Sequence, residues 1–227
     1  ALPVQAVRER IAALGDQISV AVVNSASSTA IAGESSAVRA LLKTLEHEGV
    51  FCREVAVDYA SHSAQVDSVL PTLVAELADL APRPLQVEMV STLLGERLTG
   101  LELGGAYWAR NLREPVRLDQ AIAELAKSGQ RLFLEVSAHP QLLVALAQAA
   151  GEDGAAVGSL RRGAGSEQLV RSAAELYVHG FGARPRGDAR RAADLSVPAG
   201  AVLDRSAAAQ HPCAARGGRL LVGRGEW

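Results

Sequence analysis

The sequence predicts an α/β fold, with helices layered on sheet. Three observations predict it. Apolar residues recur three and four apart in stretch after stretch, the period of an amphipathic helix. Short runs rich in Val, Ile and Leu alternate with those stretches and read as strands. Glycine stands at many of the junctions, where a helix must stop or the chain must turn. The 227 residues suffice for one large domain or two small ones. A hydrophobic fraction of 48% and a charged fraction of 21% are those of a globular protein. The net charge of −2 gives no electrostatic footprint for nucleic acid or an anionic membrane. The longest apolar runs, such as Leu142–Ala147, are too short to span a bilayer. No basic start leads into an apolar core, so no signal peptide is expected. Cys52 and Cys213 are isolated, which points to a reducing, cytoplasmic setting rather than a disulfide framework.

The elements follow in order. Ala1-Leu2-Pro3 reads as the end of a strand. Val4, Val7, Ile11 and Leu14 put one apolar face on a helix, and Gly15 ends it. Ile18–Val23 is a β-branched strand. Turn chemistry at Asn24–Ser27 and a second strand over Thr29–Ala32 make a hairpin. Ser35 or Ser36 can cap a helix over Ala37–Glu48, with Val38, Leu41, Leu42 and Leu45 on one face. Gly49 stops it, and Cys52–Val57 is a strand. With a full first strand this order is the ferredoxin-like split pattern, so residues 1–57 are expected to form a small α+β subdomain. Ser63 can cap a helix from Gln65 to Leu80, in which Pro71 forces a kink or a junction of two helices. Ala81–Pro84 blocks helix. Val87–Leu93 reads as a buried strand, with turns at Gly95 and Gly100. Then come a helix over Leu118–Leu125, a strand over Leu132–Val136, a short helix over Gln141–Ala149 and a strand over Ala155–Ser159. An amphipathic helix over Ser166–Tyr177 should turn Leu169, Val170 and Leu176 inward. These fill a second unit, residues 58–182. Residues 183–227 show no period and read as an irregular tail. Leu220–Val222 is its one apolar run.

The stretch Val57-Asp58-Tyr59-Ala60-Ser61-His62-Ser63 carries the histidine best placed for chemistry. Histidine titrates nearest neutrality and is the commonest general base. It is equally an ordinary loop residue, so His62 alone decides nothing. His139, followed by Pro140, reads as a turn before a helix. His47 and His179 sit at helix ends, where a cation suits the dipole. His211 and Cys213 lack a second ligand pair, so no metal site is expected.

Three stretches taken together are more specific. Tyr59-Ala60-Ser61-His62 follows a strand. Tyr107-Trp108 leads into Arg110-Asn111-Leu112-Arg113-Glu114-Pro115-Val116. Phe133-Leu134-Glu135-Val136-Ser137-Ala138-His139-Pro140 comes last. In this order and spacing they resemble the acyltransferase domains of modular type I polyketide synthases. Val22-Val23-Asn24-Ser25 and Ala32-Gly33-Glu34 also look like that family's small subdomain. The resemblance covers about residues 1–182.

It implies an α/β-hydrolase-like core carrying a ferredoxin-like subdomain. It implies an enzyme that moves a malonyl-type extender unit from coenzyme A, through a serine ester, to the phosphopantetheine arm of an acyl carrier protein in polyketide biosynthesis. No cofactor would be bound. The partners would be the carrier protein and neighbouring synthase domains. The resemblance places the catalytic base on His62, and on Asn111 the backbone carbonyl that orients its imidazole. Tyr59 and Ser61 would shape the acyl pocket, and the Tyr-Ala-Ser-His form goes with methylmalonyl units. The family's Gly-His-Ser-x-Gly elbow has no counterpart here. Gly33-Glu34-Ser35-Ser36 and Gly158-Ser159-Leu160 do not fit it. The expectation is therefore the C-terminal part of such a domain, inactive alone, with its nucleophile outside the chain. The competing expectation is a non-catalytic remnant that binds carrier protein or neighbouring domains.

Overall fold

The computed structural model describes residues 2–55, 57 and 59–181, and the backbone of 218–222. The architecture is α/β: a mixed five-stranded sheet, a parallel pair of strands, and helices against both.

Helix α1 (Val4–Ile11) runs into a 3₁₀ turn (Ala12–Gln17), broken at Gly15, whose φ of 52° only glycine adopts freely. Strands β1 (Ile18–Ser25) and β2 (Ser28–Glu34) form the expected hairpin, antiparallel, with Ile18 opposite Gly33. Helix α2 (Ser35–His47) crosses to β3 (Arg53–Val55). One face of this unit is a closed apolar core of Ile11, Ile18, Val20, Val23, Ile31 and Val38, with α1 and α2 packed over it. The other face is smaller: Ala21 and Ala32 pack against Ala60 of the following loop. Small side chains there let the loop lie close on the sheet.

After that loop, the 3₁₀ helix Ala64–Val69 is capped by Ser63, whose Oγ accepts from Gln65 N, as the sequence predicts. It abuts α3 (Leu70–Glu76), which has Pro71 in its first turn, where a missing N–H costs nothing. Helix α4 (Gly105–Arg113), the short strand β4 (Val116–Arg117) and helix α5 (Leu118–Lys127) follow. Strand β4 pairs parallel with β1, Val22 opposite Val116. Strands β5 (Leu132–Glu135) and β6 (Ala155–Gly158) form the separate parallel pair, joined through α6 (Leu143–Ala150). Phe133, Ile122, Leu146 and Ala150 are its core. The parallel order agrees with the alternation of strand and helix in the sequence. Among the described residues no helix is long and apolar enough to cross a membrane.

Four expectations are corrected. Val87–Leu93 is not a strand; it makes a single bridge, Val90 to Arg97. The fully buried Ser91 turns its Oγ back to the amides of Leu93 and Leu94 and meets the Tyr107 hydroxyl at 2.7 Å, which bends the chain. Helix α2 starts one residue earlier than a Ser35 cap would allow, with Glu34 at the cap position, and α7 (Gly165–Val178) starts one residue before the expected Ser166, with Ala164 at the cap. The residue α7 buries is Ser172, which donates to Gly158 O at 2.6 Å, while Leu169 and Val170 stay exposed. Finally, the tail is not wholly irregular: Gly218–Val222 is strand β7, inside the sheet of order β3-β7-β2-β1-β4. Residues 183–217 and 223–227 lie outside the described residues.

Candidate active site

His62 sits on the loop between β3 and the 3₁₀ helix. Its φ is 61°, the left-handed region that a side-chain-bearing residue enters at a cost of about 1–2 kcal/mol. Several contacts hold it there. Ala60 is buried against β1 and β2. Ser63, fully buried, donates to Ala60 O at 2.7 Å and closes the turn. The His62 amide donates to Leu112 O at 2.8 Å. Leu112 lies in the last turn of α4, where helix carbonyls lack an internal partner, so the loop satisfies an otherwise orphaned acceptor.

The imidazole is tied to the same helix end. His62 Nδ1 lies 2.8 Å from Glu114 O. A carbonyl only accepts, so Nδ1 carries the proton and donates, which leaves Nε2 with its lone pair. Here Asn111 is corrected: the carbonyl on the ring belongs to Glu114. Asn111 is inside α4, where carbonyls run along the helix axis. Glu114 is the first residue past the helix, with ψ 159°, so its carbonyl leaves that axis. The cause is local. Pro115 pushes the residue before it out of helical geometry. Strand β4 then pins Val116 beside β1, so one Glu-Pro step brings helix end, sheet edge and histidine together.

The Glu114 side chain points to a second partner. Arg110 Nε donates to it at 2.6 Å, which holds the Glu114 carboxyl below the usual carboxylate range. Arg113 pairs with Asp67 at 2.5 Å and ties α4 to the 3₁₀ helix after His62. The arginines of α4 thus serve solvated ion pairs at this corner. Burial pushes the His62 imidazole below its ordinary pKa, against the raising effect of the Glu114 carbonyl.

Tyr59 is 59% exposed and Ser61 is half-buried, on the same loop as His62. The open groove of about 450 Å³ lined by Pro140, Leu143, Gly158, Arg161 and Arg171 includes none of the three. Cys52 is a free thiol, and burial raises its pKa, so it is a poor nucleophile. The third stretch, Glu135–Pro140, proves to be structural. The nearly buried Glu135 carboxylate accepts from Gln141 N and Leu142 N at 2.8 and 2.9 Å and from Ser137 Oγ. His139 Nδ1 accepts from Arg162 N at 3.4 Å.

Residues 1–183 match the family described as the acyl transferase domain. The polyketide synthase GfsB of Streptomyces halstedii is 44% identical over 176 residues, which is 75% of this chain and 3% of that protein. The erythronolide synthase EryA2 of Saccharopolyspora erythraea is 42% identical over 190 residues, 81% of this chain and 5% of that protein. The acyltransferase domain from module 8 of the salinomycin polyketide synthase superposes with a TM-score of 0.76 at 38% identity, over 79% of this chain and 44% of that one. The chain therefore spans less than half of that solved domain and a small part of the two synthases. It belongs to the acyl transferase domain family, in the form found in modular type I polyketide synthases.

Proposed function

We propose that this chain supplies the base and one wall of the acyl pocket of an acyltransferase that loads a methylmalonyl unit from coenzyme A onto an acyl carrier protein. The nucleophilic serine comes from outside these 227 residues. In this reading residues 1–57 are a ferredoxin-like subdomain and residues 58–182 are part of an α/β-hydrolase-like core. No cofactor takes part, the partners are the carrier protein and neighbouring synthase domains, and the setting is the cytoplasm.

The observation that carries it is the tautomer of His62: Nδ1–H is committed to Glu114 O, and Nε2 is left to move protons. In the first half-reaction Nε2 takes the serine proton as the oxygen attacks the thioester carbonyl, and coenzyme A leaves as a thiolate that takes the proton back. In the second, Nε2 takes the proton of the pantetheine thiol, whose sulfur attacks the ester, and the proton returns to the serine. The imidazolium formed in between sits at the C-terminal end of α4, whose dipole favours a cation. A carbonyl orients the ring as a carboxylate would, without the added charge. Ser61 leaves room for a methyl branch where a bulkier side chain would fill it, an effect of about 1–3 kcal/mol.

The chain incubated alone with radiolabelled methylmalonyl-CoA is expected to stay unlabelled. Joined to the upstream half of an acyltransferase domain bearing the Gly-His-Ser-x-Gly elbow, it is expected to form a serine ester and pass it to carrier protein. A stable label on the chain alone overturns the assignment of the nucleophile. A joined domain that folds and binds carrier protein without turnover supports the docking-element reading instead.

The lowered pKa of His62 sets a pH profile. The base works as neutral imidazole, so the acid limb of kcat/KM in the joined domain should fall below pH about 6.5, the ordinary histidine value. Stability carries the same sign. The unfolded chain binds a proton near pH about 6.5 and the folded one only at lower pH, so stability should drop as pH falls from about 6.5. Urea unfolding at pH 7.5 and pH 5.5 checks it, and His62→Asn should remove this component of the drop.

A further inference from the structure

We propose that Tyr107 is a positioning residue: its buried hydroxyl, latched to Ser91, sets the place of α4 and so the aim of the His62 imidazole. The proposal rests on the reading of His62 as the base. Both atoms that hold His62 belong to the C-terminal end of α4. Leu112 O takes its amide and Glu114 O takes its Nδ1–H, each at 2.8 Å. A helix moves as a rod, so whatever fixes α4 fixes both carbonyls together. Tyr107 stands two turns back from Glu114, roughly 10 Å along the axis.

The anchor is the corner at Ser91 and Thr92. Ser91 is fully buried and bonded through its amide, carbonyl and hydroxyl. Its amide donates to Glu96 O at 2.8 Å, and its carbonyl accepts from Gly95 N at 2.7 Å. Its Oγ accepts from the amides of Leu93 and Leu94 at 3.1 and 3.2 Å. Those two bonds use both lone pairs, so the Ser91 proton is what reaches the Tyr107 oxygen at 2.7 Å. The next residue grips the other side of the same unit: Arg117 N donates to Thr92 O at 2.6 Å. Glu114 lies between the two grips, and its carbonyl is bracketed by them. The other ties of α4 fix it less. Arg113 with Asp67 is an exposed ion pair, of the kind that contributes little. Arg110 with Glu114 stays within the helix and its first following residue. Trp108 Nε1 donates to Leu103 O at 2.9 Å, in the turn that leads into α4.

The test reads His62 itself, in the full chain, by nitrogen NMR of the imidazole. The unaltered chain should show the Nδ1–H tautomer. Tyr107→Phe keeps the ring and its packing but leaves the Ser91 proton without an acceptor, which a buried site does not tolerate. The Nε2–H tautomer should then become populated. The imidazole should also titrate at lower pH, because the Glu114 carbonyl that raises its pKa is loosened while burial is kept. The charged groups of this corner, Asp67, Arg110, Arg113, Glu114 and Arg117, are unchanged by the substitution. In the domain joined to its upstream half, kcat should fall about 10-fold, the order expected when a reacting group is displaced by a fraction of an ångström. KM for methylmalonyl-CoA should change little, and the acid limb should move to lower pH. Trp108→Phe is the control: it too removes a hydrogen bond from α4, and it should lower the urea midpoint without altering the tautomer. Ser91→Ala removes the other half of the latch and should repeat the Tyr107→Phe shift, so it decides should that variant fail to fold. A folded Tyr107→Phe or Ser91→Ala with the tautomer of the unaltered chain overturns the proposal, as do mixed tautomers in the unaltered chain. A changed tautomer with undiminished transfer keeps the latch and overturns the reading of His62 as the base.

Discussion

Replacing His62 by asparagine in a domain completed with its serine should lower acyl transfer by about 10²–10⁴, the usual contribution of a positioned general base. Asparagine is the informative replacement. It tolerates a φ of 61° better than most side chains, so the backbone bond from residue 62 to Leu112 O survives. What is lost is the lone pair at Nε2. The loss should fall on both acyl transfers, because in the proposed mechanism the same nitrogen takes the proton from serine and from pantetheine. Thermal unfolding should change little. His62→Gly should lose activity equally and gain up to about 1–2 kcal/mol of stability, by relieving the left-handed backbone. Full activity in His62→Asn would overturn the assignment of the base. A loss of activity accompanied by unfolding would point to a packing role instead.

Gly33→Ala should destabilise the small sheet by about 1–3 kcal/mol or more, the range for forcing atoms into a packed site. A Cβ there would lie 2.0 Å from Gln17 O and 2.8 Å from Ile18 Cα. Both are backbone atoms, so no rotamer change relieves the clash. Strand β1 must move, and with it the face on which Ala60 rests. The variant should therefore show a lower urea midpoint and, in the completed domain, weaker transfer as the His62 loop shifts. Gly49→Ala is the control. It has a positive φ of 73° but meets nothing within 4 Å, so it should cost only backbone strain. An equal cost at both positions would sink the close-approach account.

Both predictions draw on features the sequence shows unequally. The hairpin, the helix after it, the junction at Pro71 and the run β5–α6–β6 were all legible, because period and breaker residues are local. The irregular course of Val87–Leu93 was not, because its strand-like apolar composition is outvoted by one buried hydroxyl at Ser91. The inward face of α7 was misplaced for a related reason. Leu169 and Val170 have the right spacing, but the surface α7 meets is β6, and there it offers Ser172. His62 was legible through its neighbours in three stretches. The carbonyl that orients it was not, since a backbone atom leaves no mark in the residue type; the pre-proline position of Glu114 was the one available signal.

By itself, then, the sequence determined the family, the α/β class, most of the order of elements and the histidine proposed as the base. Each depends on residue type and spacing, which need no third dimension. The tertiary structure alone decided which carbonyl holds the imidazole, and hence that Nε2 is the free nitrogen. It alone decided that residues 218–222 lie between β3 and β2 in the sheet. Both outcomes rest on backbone groups that meet across long sequence separations. Every residue carries the same N–H and C=O, so the partner is chosen by where the chain is brought, not by what the residue is.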